Sequence, residues 1–127
     1  MIGVALVTVA AGGCGAALRY LVSVWFARSR DARGSKGAGF PWAVFAVNVA
    51  GSALGGAVLA LADHALSPEA QFVLLSGVCG GLTTFSTFSV ETVQLVHKGR
   101  WGRASVSVAA NVIVSFGACA LSYQLFA

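Results

Sequence analysis

Four long apolar stretches constrain the fold of this chain more than any other feature of its sequence. They cover about residues 2–26, 40–62, 68–96 and 101–126. Each exceeds the roughly 20 residues that a helix needs to cross a ~30 Å hydrocarbon core. Strands of an outer-membrane barrel would be about half as long and would alternate in polarity, which these stretches do not. The sequence therefore predicts an all-α membrane protein, with residues 1–127 forming one domain of four transmembrane helices.

Composition supports this class and excludes others. Only 9% of the residues are charged, whereas a soluble domain carries roughly a quarter. Cys14, Cys79 and Cys119 all lie inside apolar stretches. An odd number of cysteines in such places indicates packing thiols, not a disulfide framework or a metal site.

Basic residues are distributed unevenly between the two sides of the predicted bundle. Loops one and three fall on one side, and the opposite side holds Asp63, His64 and Glu69 but no Lys or Arg. The positive-inside rule then predicts cytoplasmic loops one and three, with both termini outside. Because the cations are split between short loops, they are explained as topology signals that also attract membrane lipid, and no nucleic-acid partner is expected. The seven basic residues on the first side are Arg28, Arg30, Arg33, Lys36, Lys98, Arg100 and Arg103.

The third stretch contains the run Gly80-Gly81-Leu82-Thr83-Thr84-Phe85-Ser86-Thr87-Phe88. Adjacent glycines and four hydroxyl side chains disfavour a regular helix in lipid. Such a stretch is tolerated in the membrane only where it is buried in protein or lines a cavity. It is therefore a candidate ion or substrate site. Phe85 and Phe88 share one helix face, which by default indicates core packing, and Glu91 continues that face one turn later.

Polar residues in the other stretches allow two readings each. Arg19 either extends to the cytoplasmic headgroups or faces an aqueous vestibule. Asn48 either hydrogen-bonds a neighbouring helix, which the sequence slightly favours, or donates to an anion. Ser107, Asn111 and Ser115 follow one another at helical spacing and so share a face. A polar stripe on an apolar span favours a wet track over simple interhelical bonding.

Three motifs in order carry a family resemblance over nearly the whole chain. The run from Gly80 to Ser89, the run Gly15-Ala16-Ala17-Leu18-Arg19-Tyr20, and the second-helix pattern resemble the Fluc/CrcB fluoride channel family. That second-helix pattern consists of Pro41, Asn48, Gly51, Ser52 and Gly55. The resemblance implies a dual-topology dimer of antiparallel four-helix subunits in a bacterial or archaeal inner membrane. In each subunit the third helix would be broken near mid-membrane, and two narrow pores along the dimer interface would let fluoride leave the cell passively.

The resemblance also implies roles for individual residues. A structural Na+ at the dimer centre would be held by the backbone carbonyls of Gly80 and Thr83. Arg19 and Glu91 would lie in the vestibules. The implied pore and anion-binding residues are Asn48, Phe85, Phe88, Ser107, Asn111 and Ser115.

The same residues bear on the dimer partner and on alternative classes of membrane protein. The one-sided charge predicts a fixed orientation, and therefore a heterodimer with a homologue of opposite topology, although a homodimer remains the alternative. A four-helix proton-coupled multidrug exporter would need a carboxylate deep in the first helix, which is missing. A non-transporting membrane subunit would leave the hydroxyl-rich run unexplained. No phosphate-binding loop or catalytic constellation is present, so the chain is not expected to be an enzyme.

Overall fold

The computed structural model describes residues 2–34, 39–62 and 64–127. Two of the charged loop residues named above, Lys36 and Asp63, lie outside these described residues. In the described part, every regular element is helical, and four spans are long and apolar enough to cross a membrane. The predicted all-helical fold with four spans is confirmed. The elements in order are α1 (Ile2–Ala32), α2 (Trp42–Leu61), α3 (Pro68–Phe72), a π-helical segment (Val73–Cys79), α4 (Gly80–Leu82), α5 (Phe85–His97) and α6 (Trp101–Phe126).

The third span is assembled from several pieces, and its start has a clear local cause. Ser67 caps α3, because its hydroxyl accepts the backbone N–H of Ala70 at 3.2 Å. Pro68 occupies the first turn, where its missing N–H costs nothing. The π-helical segment Val73–Cys79 and the short α4 then continue the same span to Leu82.

Helix α1 is longer than the apolar stretch predicts. It continues past Phe26 to Ala32, because the residues that follow Phe26 are mostly alanine and arginine, which form helices well. Arg30 lies in its last turn, where a cation is favoured by the helix dipole.

Two packing relationships position the site. Helix α2 packs along α6, and its buried side chains include Val44, Val47 and Val58. Helix α1 packs instead against the π-helical segment and α4. The third span is thus held by α1 on the amino-terminal side of its break, while α5 packs against α6 on the other side.

Glycine contacts bring backbones together where α1 meets the third span. A Cβ on Gly15 would lie 2.6 Å from the Val78 carbonyl oxygen, and a Cβ on Gly81 would overlap the carbonyl of Gly12. Backbones can approach this closely only without side chains between them, as in other membrane helix interfaces. Helices α1 and α4 are therefore in direct backbone contact.

Candidate functional site

The third span breaks at two threonines and not at the glycines before them. Gly80 is helical, with φ −63° and ψ −36°. Thr83 is extended, with ψ 157°, and Thr84 is extended, with φ −148° and ψ 119°. Gly80 and Gly81 therefore lie within the helical part of the span. They serve close packing against α1, and β-branched threonines adopt extended backbone readily.

Hydroxyl groups satisfy the backbone on both sides of this break. The Thr83 hydroxyl donates to the Cys79 carbonyl at 2.9 Å. The Thr84 hydroxyl accepts the Thr87 backbone N–H at 3.2 Å and so caps the start of α5. Side chains that cap in this way satisfy backbone groups that would otherwise be left unpaired in an apolar environment.

Asn48 of α2 pairs with the backbone of Thr84 from both sides. Its Oδ1 accepts the Thr84 N–H at 2.9 Å, and its Nδ2 donates to the Thr84 carbonyl at 3.4 Å. A continuous helix would send that N–H to the Gly80 carbonyl. Asn48 therefore replaces the missing helical bond at a residue that is only 6% exposed.

Asn111 of α6 extends this network across the bundle. Its Oδ1 accepts from Asn48 Nδ2 at 3.0 Å, and its own Nδ2 donates to the Ser107 carbonyl at 3.0 Å. Asn111 and Ser107 are buried. The hydroxyls of Ser107 and Ser115 are also buried and have no hydrogen-bond partner among the residues that the structure describes.

An open groove of about 340 Å³ lies beside the break, at the amino-terminal end of α5. Phe85 is 81% exposed, and its ring lies 6.0 Å from that of Phe88, centroid to centroid, at 44°. Of the six residues predicted for the pore, the groove gathers all but Ser107. The groove is lined by Asn48, Ser52, Thr83, Thr84, Phe85, Phe88, Asn111, Val112 and Ser115.

Groups that favour an anion predominate in this groove. Phenyl edges carry partial positive charge, and hydroxyls and carboxamides can donate hydrogen bonds. The start of α5 also presents the positive end of a helix dipole. The groove can thus replace part of the hydration of a small anion without a formal positive charge among its lining residues.

Arg19 of α1 contacts the break directly. Its Nη1 donates to the Thr83 carbonyl at 3.1 Å, so the guanidinium lies at the carboxyl-terminal end of α4. A cation is favoured there by the helix dipole. The location of Arg19 at the headgroups or in a vestibule stays a prediction.

Comparison with known proteins identifies the family. A family model described as "CrcB-like protein, Camphor Resistance (CrcB)" matches residues 6–123. This chain belongs to the CrcB-like family. Its membership and its four spans make it a multi-pass membrane protein.

Three relatives cover most of the chain, and each is named fluoride-specific ion channel FluC. The one from Agrobacterium fabrum is 39% identical over 99% of this chain and 100% of its own length. The one from Thermus thermophilus is 40% identical over 90% and 86%, respectively. The one from Shewanella amazonensis is 42% identical over 92% and 91%. An ion channel is not an enzyme, in agreement with the sequence prediction.

A second cavity, separate from the groove at the start of α5, is lined in part by Glu91. It measures about 390 Å³ and shares no lining residue with the groove. One Glu91 carboxylate oxygen is buried and has no hydrogen-bond partner in the described part of the chain, and Arg30 lines the same cavity. Glu91 therefore lies near the carboxyl-terminal ends of α1 and α5, where Arg30 and Lys98 line the same cavity. The cavity is lined by Arg30, Gly39, Pro41, Glu91, Gln94, Leu95 and Lys98.

Sequence reasoning missed three polar groups of the groove: Ser52, Thr84 and the Thr83 side chain. Ser52 follows Asn48 by one helical turn, so the periodicity of α2 could have identified it. The threonines were recognised only as part of the break. In the described residues, no cluster of three His, Cys, Asp or Glu side chains could hold a metal ion. Backbone carbonyls remain the only cation ligands that the family resemblance implies.

Proposed function

We propose that this chain is a subunit of a fluoride-specific ion channel that lets fluoride leave the cell passively and so lowers its toxicity. The observation that carries the proposal is the groove at the start of α5, where Phe85, Phe88 and the carboxamides of Asn48 and Asn111 meet. The names of relatives about 40% identical over nearly the whole chain support the same function.

The chemistry of the groove suits fluoride in particular. Fluoride is small and strongly hydrated, so only several close donors can compensate its dehydration. Ring edges, hydroxyls and amide hydrogens offer such donors in sequence, and gradual transfer between them keeps each site weak enough for exit. HF enters a cell as a neutral acid and ionises inside. An open anion pathway in a cell that is negative inside then removes the fluoride without ATP.

Efflux from liposomes tests the role of the rings. Phe85→Ile and Phe88→Ile should each abolish fluoride efflux, measured with a fluoride-selective electrode, because isoleucine offers no polarised ring edge. Phe126→Ile is the matched control, since Phe126 is an exposed phenylalanine at the end of α6 and outside the groove. Gel filtration of each variant verifies assembly. Unchanged efflux through well-assembled Phe85 and Phe88 variants would contradict the proposed role.

A structural Na+ is the second part of the proposal. Its ligands would be the carbonyls of Gly80 and Thr83, and hard oxygen ligands suit a small alkali cation. Two features support it: the Thr84 N–H donates to Asn48 in place of the Gly80 carbonyl, and Gly80 lies on an exposed face of the chain. The Thr83 carbonyl also accepts from Arg19, so its second lone pair would serve the ion. The ion would supply a fixed positive charge, and a second subunit would complete its ligands.

Pairing with a second subunit is the third part. Phe85 is 81% exposed within an apolar span, and the groove is open along the side of the chain, so one chain alone does not enclose a pathway. An antiparallel homologous subunit would cover it. The seven basic residues around loops one and three support a fixed orientation, with those loops cytoplasmic and both termini outside. They therefore favour a heterodimer with a homologue of opposite topology over a homodimer, in contact with membrane lipid throughout.

A further inference from the structure

Both hydrogens of the Asn48 carboxamide have acceptors within this chain. One points to the Thr84 carbonyl at 3.4 Å and the other to Asn111 Oδ1 at 3.0 Å. A carboxamide nitrogen has only two hydrogens to donate. Asn48 therefore lines the groove without a donor free to bind an ion there.

The shorter of the two bonds is held in place from the α6 side. Asn111 Nδ2 donates to the Ser107 carbonyl one turn earlier on α6, which turns Oδ1 towards Asn48. Asn111 is only 6% exposed and Ser107 is fully buried, so the bond between them is largely shielded from water. Asn111 Oδ1 is thus a preoriented acceptor aimed at the groove donor.

From this geometry we propose that Asn111 sets the fluoride affinity of the groove by competing with the ion for the Asn48 amide. The proposal rests on the proposed channel function. Fluoride, being charged, forms a stronger hydrogen bond than a neutral carboxamide oxygen does, so it can displace Asn111 Oδ1. The displaced oxygen remains nearby and recaptures the amide, which promotes release of the ion. Weak, reversible binding of this kind is what conduction requires.

Two substitutions at Asn111 separate this competition from a direct role in binding the ion. Asn111→Leu is similar in volume and removes the competing acceptor. Asn111→Asp keeps an acceptor facing Asn48 and adds a negative charge. Neither variant retains an amide that could donate to fluoride, so a simple loss of a donor would affect both in the same direction.

The measurement is fluoride current, as a function of fluoride concentration, through the assembled channel in planar bilayers. For Asn111→Leu we expect half-saturation at a roughly three- to tenfold lower concentration, the range that corresponds to one neutral hydrogen bond, together with a lower maximal current because exit is slower. For Asn111→Asp we expect half-saturation at a higher concentration. Asn111→Ser, whose hydroxyl is too short to reach Asn48, should behave like the leucine variant and replaces it if that variant does not assemble.

The outcomes are distinct. A rise in half-saturation concentration for leucine and aspartate alike would overturn the proposal and assign Asn111 as a direct donor. An unchanged half-saturation concentration in both variants would overturn it as well, since Asn111 would then have no influence on fluoride binding. If the unmodified channel carried no fluoride current at all, the proposed function itself would fail, and the inference with it.

Discussion

Arg19 brings a formal charge to the break. Its guanidinium donates to the Thr83 carbonyl at 3.1 Å, and Arg19 as a residue is partly buried. Hydrogen bonds from a charged donor are worth about 1.5–3 kcal/mol, more than neutral ones. Arg19 therefore fixes the direction in which the Thr83 carbonyl points, and with it the end of α4.

Replacing Arg19 should destabilise the break specifically. Arg19→Gln removes the charge and shortens the side chain, so we expect the free energy of unfolding to fall by about 1.5–3 kcal/mol. Titration with SDS in mixed micelles, followed by circular dichroism, measures it. Arg28→Gln is the control, because Arg28 is an exposed arginine on the same helix. Equal midpoints for both variants would show that the Arg19 contact contributes nothing.

Glycines let the elements around the break pack closely against one another. Gly81 of α4 lies against the carbonyl of Gly12, and Gly15 lies against Val78 and Leu82. In the second span, Gly51 contacts the Thr83 methyl group and Gly56 contacts the Cys119 backbone. Gly55, one turn after Gly51, would by contrast tolerate a Cβ at ordinary distance, 3.9 Å from Leu75.

A methyl group between α1 and α4 should separate them. Gly81→Ala would place its Cβ on the Gly12 backbone, which side-chain rotation cannot relieve. We expect a loss of at least about 1–3 kcal/mol in stability, as for other overpacked sites, and reduced fluoride efflux. Thermal melting in detergent measures the first.

Gly13→Ala is the matched control for this substitution. Beyond its own stretch of helix, no described atom lies within 4 Å of a Cβ at Gly13, and alanine is favoured over glycine inside a helix by roughly 0.5–1 kcal/mol. Its melting temperature should stay the same or rise. A melting temperature of Gly81→Ala that matched this control would contradict the packing argument.

What the sequence reveals about these elements depends on how local the cause is. The spans were predictable because apolar length is a local property, and the start at Pro68 was predictable because Ser67 and Pro68 form a local cap. The exact position of the break was not predictable, because Thr84 is held by Asn48 from another helix. The π-helical segment Val73–Cys79 has no signal in its residue types that we recognise. Arg19 could not be placed for the same reason as Thr84: its acceptor lies on a different span.

For the whole molecule, the decisive question is orientation. Basic residues lie only around loops one and three, apart from Arg19 in the first span. If each chain inserts one way, tags at both termini should be accessible only from outside intact cells, because the basic loops are retained in the cytoplasm. Impermeant thiol labelling of cysteines introduced at each terminus measures this. Equal labelling from both sides would instead indicate dual topology and a homodimer.

The network around Thr84 also has a consequence for the order in which the protein matures. Its members come from α2, the third span and α6, so Asn111 is synthesised after every other group that it helps to organise. Until α6 enters the bilayer, the Asn48 amide lacks the acceptor of its shorter hydrogen bond, and the groove has no third wall. The groove is therefore complete only after α6 has been inserted, because α6 supplies both its third wall and the acceptor for the Asn48 amide.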